Sequence, residues 1–351
     1  MKRNTVYLIL AALAALAALF PGMALASASI QAQIEPGLSV DALVCQPELP
    51  DGQAQVIRVA LLEPDPQQLA HLLYPDAGIQ EKNELPGQTI IAYADGTSLY
   101  ASQQLWDFST PLGNVIQQLR SMEALLDPQA LELPDLDFAS RQEAIASVQE
   151  ILAAVGAQDA RCVAAYALPQ DWLQRYSDQM MGRPYNAEAI RDGRIPNKAQ
   201  WTQADQCYWL RFEWAYSSIP VFAHPRLSIQ QSEIGNYFPG SSLDAVVSAQ
   251  GIQLLRGEDM LQEVSRDPAQ PLLSADQVVD LLRDRYSNLI IDAPTTVKEI
   301  ALMYVIRRVP DQEEALQLIP AWCCQVVREY GPEDVDEDWL AFDARDGQIL
   351  F

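Results

Sequence analysis

The chain has 351 residues, 49% of them hydrophobic and 20% charged, enough apolar material for two ordinary domains and too much for a disordered chain. Acidic residues outnumber basic ones 47 to 23, and the formal net charge is −24. A surface this negative repels phosphate backbones and anionic lipid headgroups, which excludes nucleic acid as a partner and favours basic protein surfaces, cations or plain solvation.

Lys2 and Arg3 precede an apolar run from Val6 to Phe20; Pro21 and Gly22 break it, and Ala24 to Ser29 supply small residues for cleavage. This is the layout of a secretory signal peptide, assigned to residues 1–28. The run of about 15 residues falls short of the roughly 20 that span a bilayer, so cleavage is the expectation and a retained anchor the alternative. Beyond it, Gln55 to Leu62 reads as a strand and Asp65-Pro66 opens a short helix carrying Leu69, Leu72 and Leu73. Thr89–Tyr93 and Ser98–Leu105 flank Ala94-Asp95-Gly96-Thr97, a hairpin signal. Thr110 caps a helix with Pro111 at its first position, and Val115, Leu119, Met122 and Leu126 form its apolar stripe. The acidic, proline-bearing stretch Asp127–Asp137 reads as a boundary, giving domains 31–135 and 136–351.

In the second domain a capped helix leads into a strand twice. Ser140 to Glu143 forms a capping box before Ile145, Val148, Leu152 and Val155, with a strand from Arg161 to Leu168. Ser274 to Gln277 repeats the signal before Val278, Leu282 and Tyr286, and a strand follows from Val297 to Val309. Cys207–Trp214, Leu243–Leu255, Leu316–Val327, Trp339–Asp343 and Gln348–Phe351 read as further strands, with Gly182–Gln203 as a long loop. The sum is an α+β fold of helices packed on antiparallel sheets. The five cysteines are an odd number with no Cys-x-x-Cys pair, and buried free thiols are the expectation. Cys162 and Cys207 both fall on expected strands, which leaves a disulfide between them as the alternative.

Tyr208-Trp209-Leu210-Arg211-Phe212, Ile219-Pro220-Val221, Gly251-Ile252, Ile319-Pro320-Ala321-Trp322 and the closing Phe342-Asp343-Ala344-Arg345-Asp346-Gly347-Gln348-Ile349 together resemble the YycI/YycH-type exported regulators. The last element is similar to the end of a PepSY repeat. The resemblance runs from about residue 205 to the C-terminus. It implies PepSY-like helix–strand units and a non-enzymatic protein outside the cytoplasmic membrane. Members of that family restrain a sensor kinase through an N-terminal membrane helix, whereas here the N-terminus reads as cleavable.

The chemistry searched for is thin. The two histidines, His71 and His224, sit in no H-E-x-x-H motif, and the chain has neither a G-x-S-x-G elbow nor a glycine-rich phosphate loop. Asp334, Asp336 and Asp338 have the alternation that can converge on calcium in a loop, but Trp339 and Arg345 occupy the positions where an EF-hand needs Gly and Glu. A solvated acidic loop is the expectation there, with no cofactor. If a partner is bound, Trp209, Trp214 and Trp322 are the candidate contacts, with the Gly182–Gln203 loop beside them, because tryptophan is enriched at binding hot spots; core packing is the competing reading. The function expected is that of a non-catalytic exported regulatory protein contacting an envelope protein or peptide. The alternatives are a carboxylate-dependent extracellular hydrolase and a secreted inhibitor.

Overall fold

The computed structural model describes residues 25–75, 78–120, 129–193, 198–222, 240–309, 312–331 and 334–351. Strands β1 (Leu25–Glu35) and β2 (Leu38–Pro47) form a hairpin, followed by β3 (Gln53–Ala54) and β4 (Ile57–Leu61). Helix α1 (Pro66–Leu73) starts where the Asp65 carboxylate accepts from the amides of Gln67 and Gln68. Strands β5 (Ile79–Leu85), β6 (Gln88–Tyr93), β7 (Ser98–Ser102) and β8 (Leu105–Ser109) then run as an antiparallel meander. Helix α2 (Pro111–Arg120) begins at Thr110, whose Oγ1 accepts from the Gly113 amide at 3.1 Å. After α3 (Gln129–Glu132), helix α4 (Arg141–Ala154) carries the full Ser140/Glu143 capping box and ends before Gly156, whose φ is +90°. Then come β9 (Ala160–Leu168), α5 (Gln170–Met181), α6 (Pro184–Arg191), β10 (Cys207–Tyr216) and β11 (Ile219–Pro220). Strands β12 (Ser242–Ser248), β13 (Gly251–Glu258), β14 (Leu261–Arg266) and β15 (Gln270–Pro271) precede α7 (Ala275–Tyr286), with its own Ser274/Gln277 box. Strands β16 (Thr295–Val309), β17 (Gln312–Glu329) and β18 (Val335–Asp343) complete the order.

The chain is α+β, and it folds into two compact units that interleave in sequence. Among the described residues, the first holds those within Leu61–Trp214 and Ser241–Gln262; the second holds those within Leu25–Ala60, Ala215–Phe222 and Glu263–Phe351, with Gly240. The division expected near residue 135 is therefore corrected. Strand β8 hydrogen-bonds β13, and β2 pairs with β16, so each sheet draws strands from both sides of that point. Nor is the described part of that stretch, residues 129–137, a linker: Ala130 is buried, and the Leu136 amide donates to Tyr208 Oη at 2.6 Å.

In the first unit the strands run β9-β10-β12-β13-β8-β7-β6-β5, every neighbour antiparallel. Both faces of its middle are apolar. On one, Val115, Ile116 and Leu119 of α2 and Leu173, Tyr176 and Met180 of α5 pack on Trp209, Val246 and Leu254. Leu243–Leu255, expected as one strand, is a hairpin: Gly251 takes φ +96° and turns β12 into β13.

In the second unit β1-β2-β16-β17 form the sheet, with β4 and β18 sharing the far edge of the 18-residue β17. The pairing of β2 with β16 is parallel, the others antiparallel. On β17, Cys323 and Cys324 point to opposite faces and both are buried, so this strand is covered on both sides. Each capped helix leads into three strands that pair in chain order, β9-β10-β12 and β16-β17-β18. The two differ at the first strand. Among the described residues β9 ends its sheet, whereas β16 has β2 on its other side.

Residues 1–24, Met122, Leu126 and His224 lie outside the described residues. Strand β1 starts at Leu25, so the segment assigned to the signal peptide and this strand overlap over Leu25–Ala28. Among the described residues no helix is long and apolar enough to cross a membrane.

Candidate functional site

The first unit holds a cleft of about 810 Å³. Four structural features converge on it. The C-terminal end of α1 brings Leu72, Leu73 and the capping residue Tyr74; the β6–β7 turn brings Asp95. The start of α2 brings Thr110, Pro111, Leu112 and Val115, and the β12–β13 turn brings Gln250 to Gln253. Lys198 and Asp205 close a further side. The apolar walls are the ends of helices whose stripes were built for the core; the polar groups come from caps and turns, where side chains answer unpaired backbone amides.

Asp95 is oriented by three donors from Tyr74 and Thr97. Its Oδ2 accepts from Tyr74 Oη at 2.5 Å and from Thr97 Oγ1 at 3.1 Å, and its Oδ1 accepts from the Thr97 amide at 3.0 Å. The tyrosine hydrogen bond, with the Thr97 amide second, holds the Asp95 carboxyl below its ordinary pKa. The same bond to the carboxylate, aided by burial, raises the Tyr74 phenol. Tyr74 is fixed from behind by an edge-to-face contact with Tyr93 at 5.2 Å. Asp205 is spent on structure. Its Oδ2 accepts from the Thr202 amide and hydroxyl, both at 2.8 Å, and its Oδ1 faces Lys198 Nζ at 3.1 Å. Burial works against the charge on Asp205, but those donors outweigh it and its pKa lies below the ordinary carboxylate value. Thr110 Oγ1 donates to Gln253 Oε1 at 2.7 Å, locking the start of α2 to β13.

A smaller cleft of about 360 Å³ shares Tyr74 and is lined by His71 and Lys82. His71 is exposed.

The three tryptophans occupy the interior. Trp209, Trp214 and Trp322 are each 0% exposed. Their indole nitrogens donate to Asp244 Oδ1 at 3.1 Å, Leu261 O at 2.9 Å and Leu273 O at 2.9 Å. Trp209 and Trp214 belong to β10 and Trp322 to β17, on different sheets, and none presents a surface to a partner. The Gly182–Gln203 stretch beside them contains helix α6, capped by Arg183 with Pro184 at its first position, so it is not a continuous loop.

The acidic run is also corrected. Asp336 and Asp338 lie within β18 and face Arg328 at 3.2 and 3.7 Å, rather than converging in a loop with Asp334. Among the described residues no group of three or more His, Cys, Asp and Glu side chains is placed to hold a metal. All five cysteines are free and buried. Cys162 sits opposite Phe212, while Cys207 sits opposite Leu168, which separates the pair by roughly 17 Å along the strand. A disulfide needs Cα atoms about 4.4–6.8 Å apart. Burial pushes the Cys45 and Cys162 thiols up to about 12, far from reactivity.

Sequence reasoning found Thr110 as a cap and Asp95 as a turn residue, but not the cleft they share. Tyr74, Lys198, Asp205 and Gln253 carry no spacing signal, because they meet only through strand pairing. No family model matches the chain, and no curated protein does. Among solved structures it is similar to an uncharacterized protein from Eubacterium rectale ATCC 33656, at 14% identity over 92% of this chain and 93% of that one, with a TM-score of 0.56. That similarity concerns the fold alone.

Proposed function

We propose that this is an exported, non-catalytic binding protein that regulates by contact with a cell-envelope partner, and that the cleft of the first unit is where contact is made. The observation that carries the reading is the state of the cleft's two carboxylates. A carboxylate hydrolase needs one acid kept protonated and one ionised, so the two environments must push their pKa values apart. Asp95 and Asp205 are both pushed down, each by donors of its own. Both are anions at neutral pH, suited to holding a ligand's donors and unsuited to giving a proton. The export layout of the N-terminus and the resemblance to the YycI/YycH-type regulators, with two PepSY-like helix–strand units, support the same class.

The test uses the mature protein in intact cells. A photo-crosslinking residue replacing Gln250, which is exposed at the cleft, should capture one discrete envelope protein, while the same residue replacing exposed Asp346 in the second unit should not. Hydrolysis of a wall or peptide substrate by purified protein, lost in Asp95→Asn or Asp205→Asn, would replace this reading with the hydrolase.

A further inference from the structure

We infer that the cleft accepts a basic segment of its partner: an extended stretch in which a lysine or arginine, flanked by apolar residues, places its cationic head on Asp95. This inference rests on the binding function proposed above and specifies the ligand for that site.

The argument begins with lone pairs. A carboxylate offers about four acceptor sites, two on each oxygen. Tyr74 Oη and Thr97 Oγ1 occupy Oδ2, and the Thr97 amide occupies one site on Oδ1. Three donors from Tyr74 and Thr97 thus orient Asp95 and, with its own amide, keep it ionised; by the donors of other residues, Oδ1 retains room for one more. Asp95 is exposed at the cleft wall, so that donor can come from outside the chain. Lys198, the cleft's one cation among the described lining residues, is already matched by Asp205 at 3.1 Å. The charge left over in the cleft is the negative one on Asp95.

The walls set the rest of the ligand. Leu72, Leu73, Pro111, Leu112, Val115 and Ile252 line the same space. A compact inorganic cation would leave them wet, whereas the methylene stem of lysine or arginine covers apolar surface while its head stays polar. At about 810 Å³ the cleft exceeds one side chain and accommodates flanking residues. The chain's net charge of −24 acts in the same direction, drawing basic surfaces in and repelling acidic ones. A preset carboxylate beside an apolar wall gains selectivity through the partner it rejects: an acidic residue there would face Asp95 unpaired.

Calorimetry on the full mature protein tests this with blocked tripeptides of acetyl-Leu-X-Leu-amide, where X is Lys, Arg, norleucine or Glu. The expected result is binding of the Lys and Arg peptides, about tenfold weaker binding of the norleucine peptide, and none of the Glu peptide. Raising the salt should weaken the first two alone. Asp95→Asn keeps an acceptor for the Thr97 amide and should lower affinity for the Lys peptide to that for norleucine, with an unchanged melting temperature. Should that variant not fold, the peptide series on the wild type still decides. Equal affinity for Lys and norleucine would overturn the cation reading while leaving a binding cleft. Binding of acetyl-lysine-methylamide as tight as that of the tripeptide would overturn the extended segment. Binding of no peptide would overturn the inference, and the crosslink at Gln250 would still judge the proposed function separately.

Discussion

At the scale of single residues, two carboxylates, one in each unit, are treated in opposite ways. Asp95, at a turn, is held ionised by donors, whereas Glu299, half-buried on β16, has its pKa raised by burial and finds no compensating charge in that balance. Burial raises the nearby Cys45 and Cys323 thiols first; the charge of Glu299 adds to this at Cys45 and, after that of Cys324, at Cys323. A carboxyl whose folded pKa exceeds the unfolded one binds its proton more tightly in the folded state. The stability this gives is complete below the unfolded value and is lost as pH rises through the folded one. Glu299→Gln removes that loss. The variant should match the wild type near pH 4 and be more stable at pH 8, as urea melts at the two pH values would show. A variant that is less stable at pH 8 than the wild type would refute the burial account.

At the scale of elements, the contact that builds the cleft is the start of α2 against β13. The Thr110 amide donates to the Gln253 carbonyl at 2.9 Å, and Gly113 lies so close that a Cβ would come within 2.0 Å of the same oxygen. In an isolated helix Gly→Ala stabilises by up to about 1 kcal/mol. Here the obstacle is backbone, which cannot swing aside, and overpacking of this kind costs about 1–3 kcal/mol. Gly113→Ala should therefore lower the melting temperature and, by lifting Thr110, Pro111 and Leu112 from β13, weaken binding of the Lys peptide. A variant with unchanged melting and unchanged affinity would show that α2 is not seated as described. The capping boxes at Ser140 and Ser274 were readable in advance because a cap is completed within four residues. The β12–β13 turn was not: nothing in Ala249-Gln250-Gly251 interrupts the apolar run strongly, and only the positive φ of Gly251 reveals it.

At the scale of the whole molecule, interleaving makes the halves of the sequence interdependent. Fragments 25–135 and 136–351 each contain strands whose neighbours lie in the other, β8 with β13 and β2 with β16. Neither fragment alone should unfold cooperatively, and mixing the two should restore a cooperative melt. Circular dichroism of each fragment and of the mixture checks this. Cooperative unfolding of either fragment alone would mean that the units do not depend on these pairings.

By itself the sequence determined the elements with local causes: the caps of α1, α2, α4 and α7, the Asp95-Gly96 hairpin and the alternating strands, together with a net charge of −24. The strand Cys207–Trp214 was legible, but its residues left partner contact and core packing both open for Trp209 and Trp214, and only the structure shows them fully buried. The tertiary structure alone decided which strands meet. Pairing β8 with β13 closes a separation of well over a hundred residues, and no local propensity records such a partner. The cleft follows from those pairings, because its leucines, its oriented Asp95 and its Thr110–Gln253 lock come from segments that become neighbours only when the sheet of the first unit is complete.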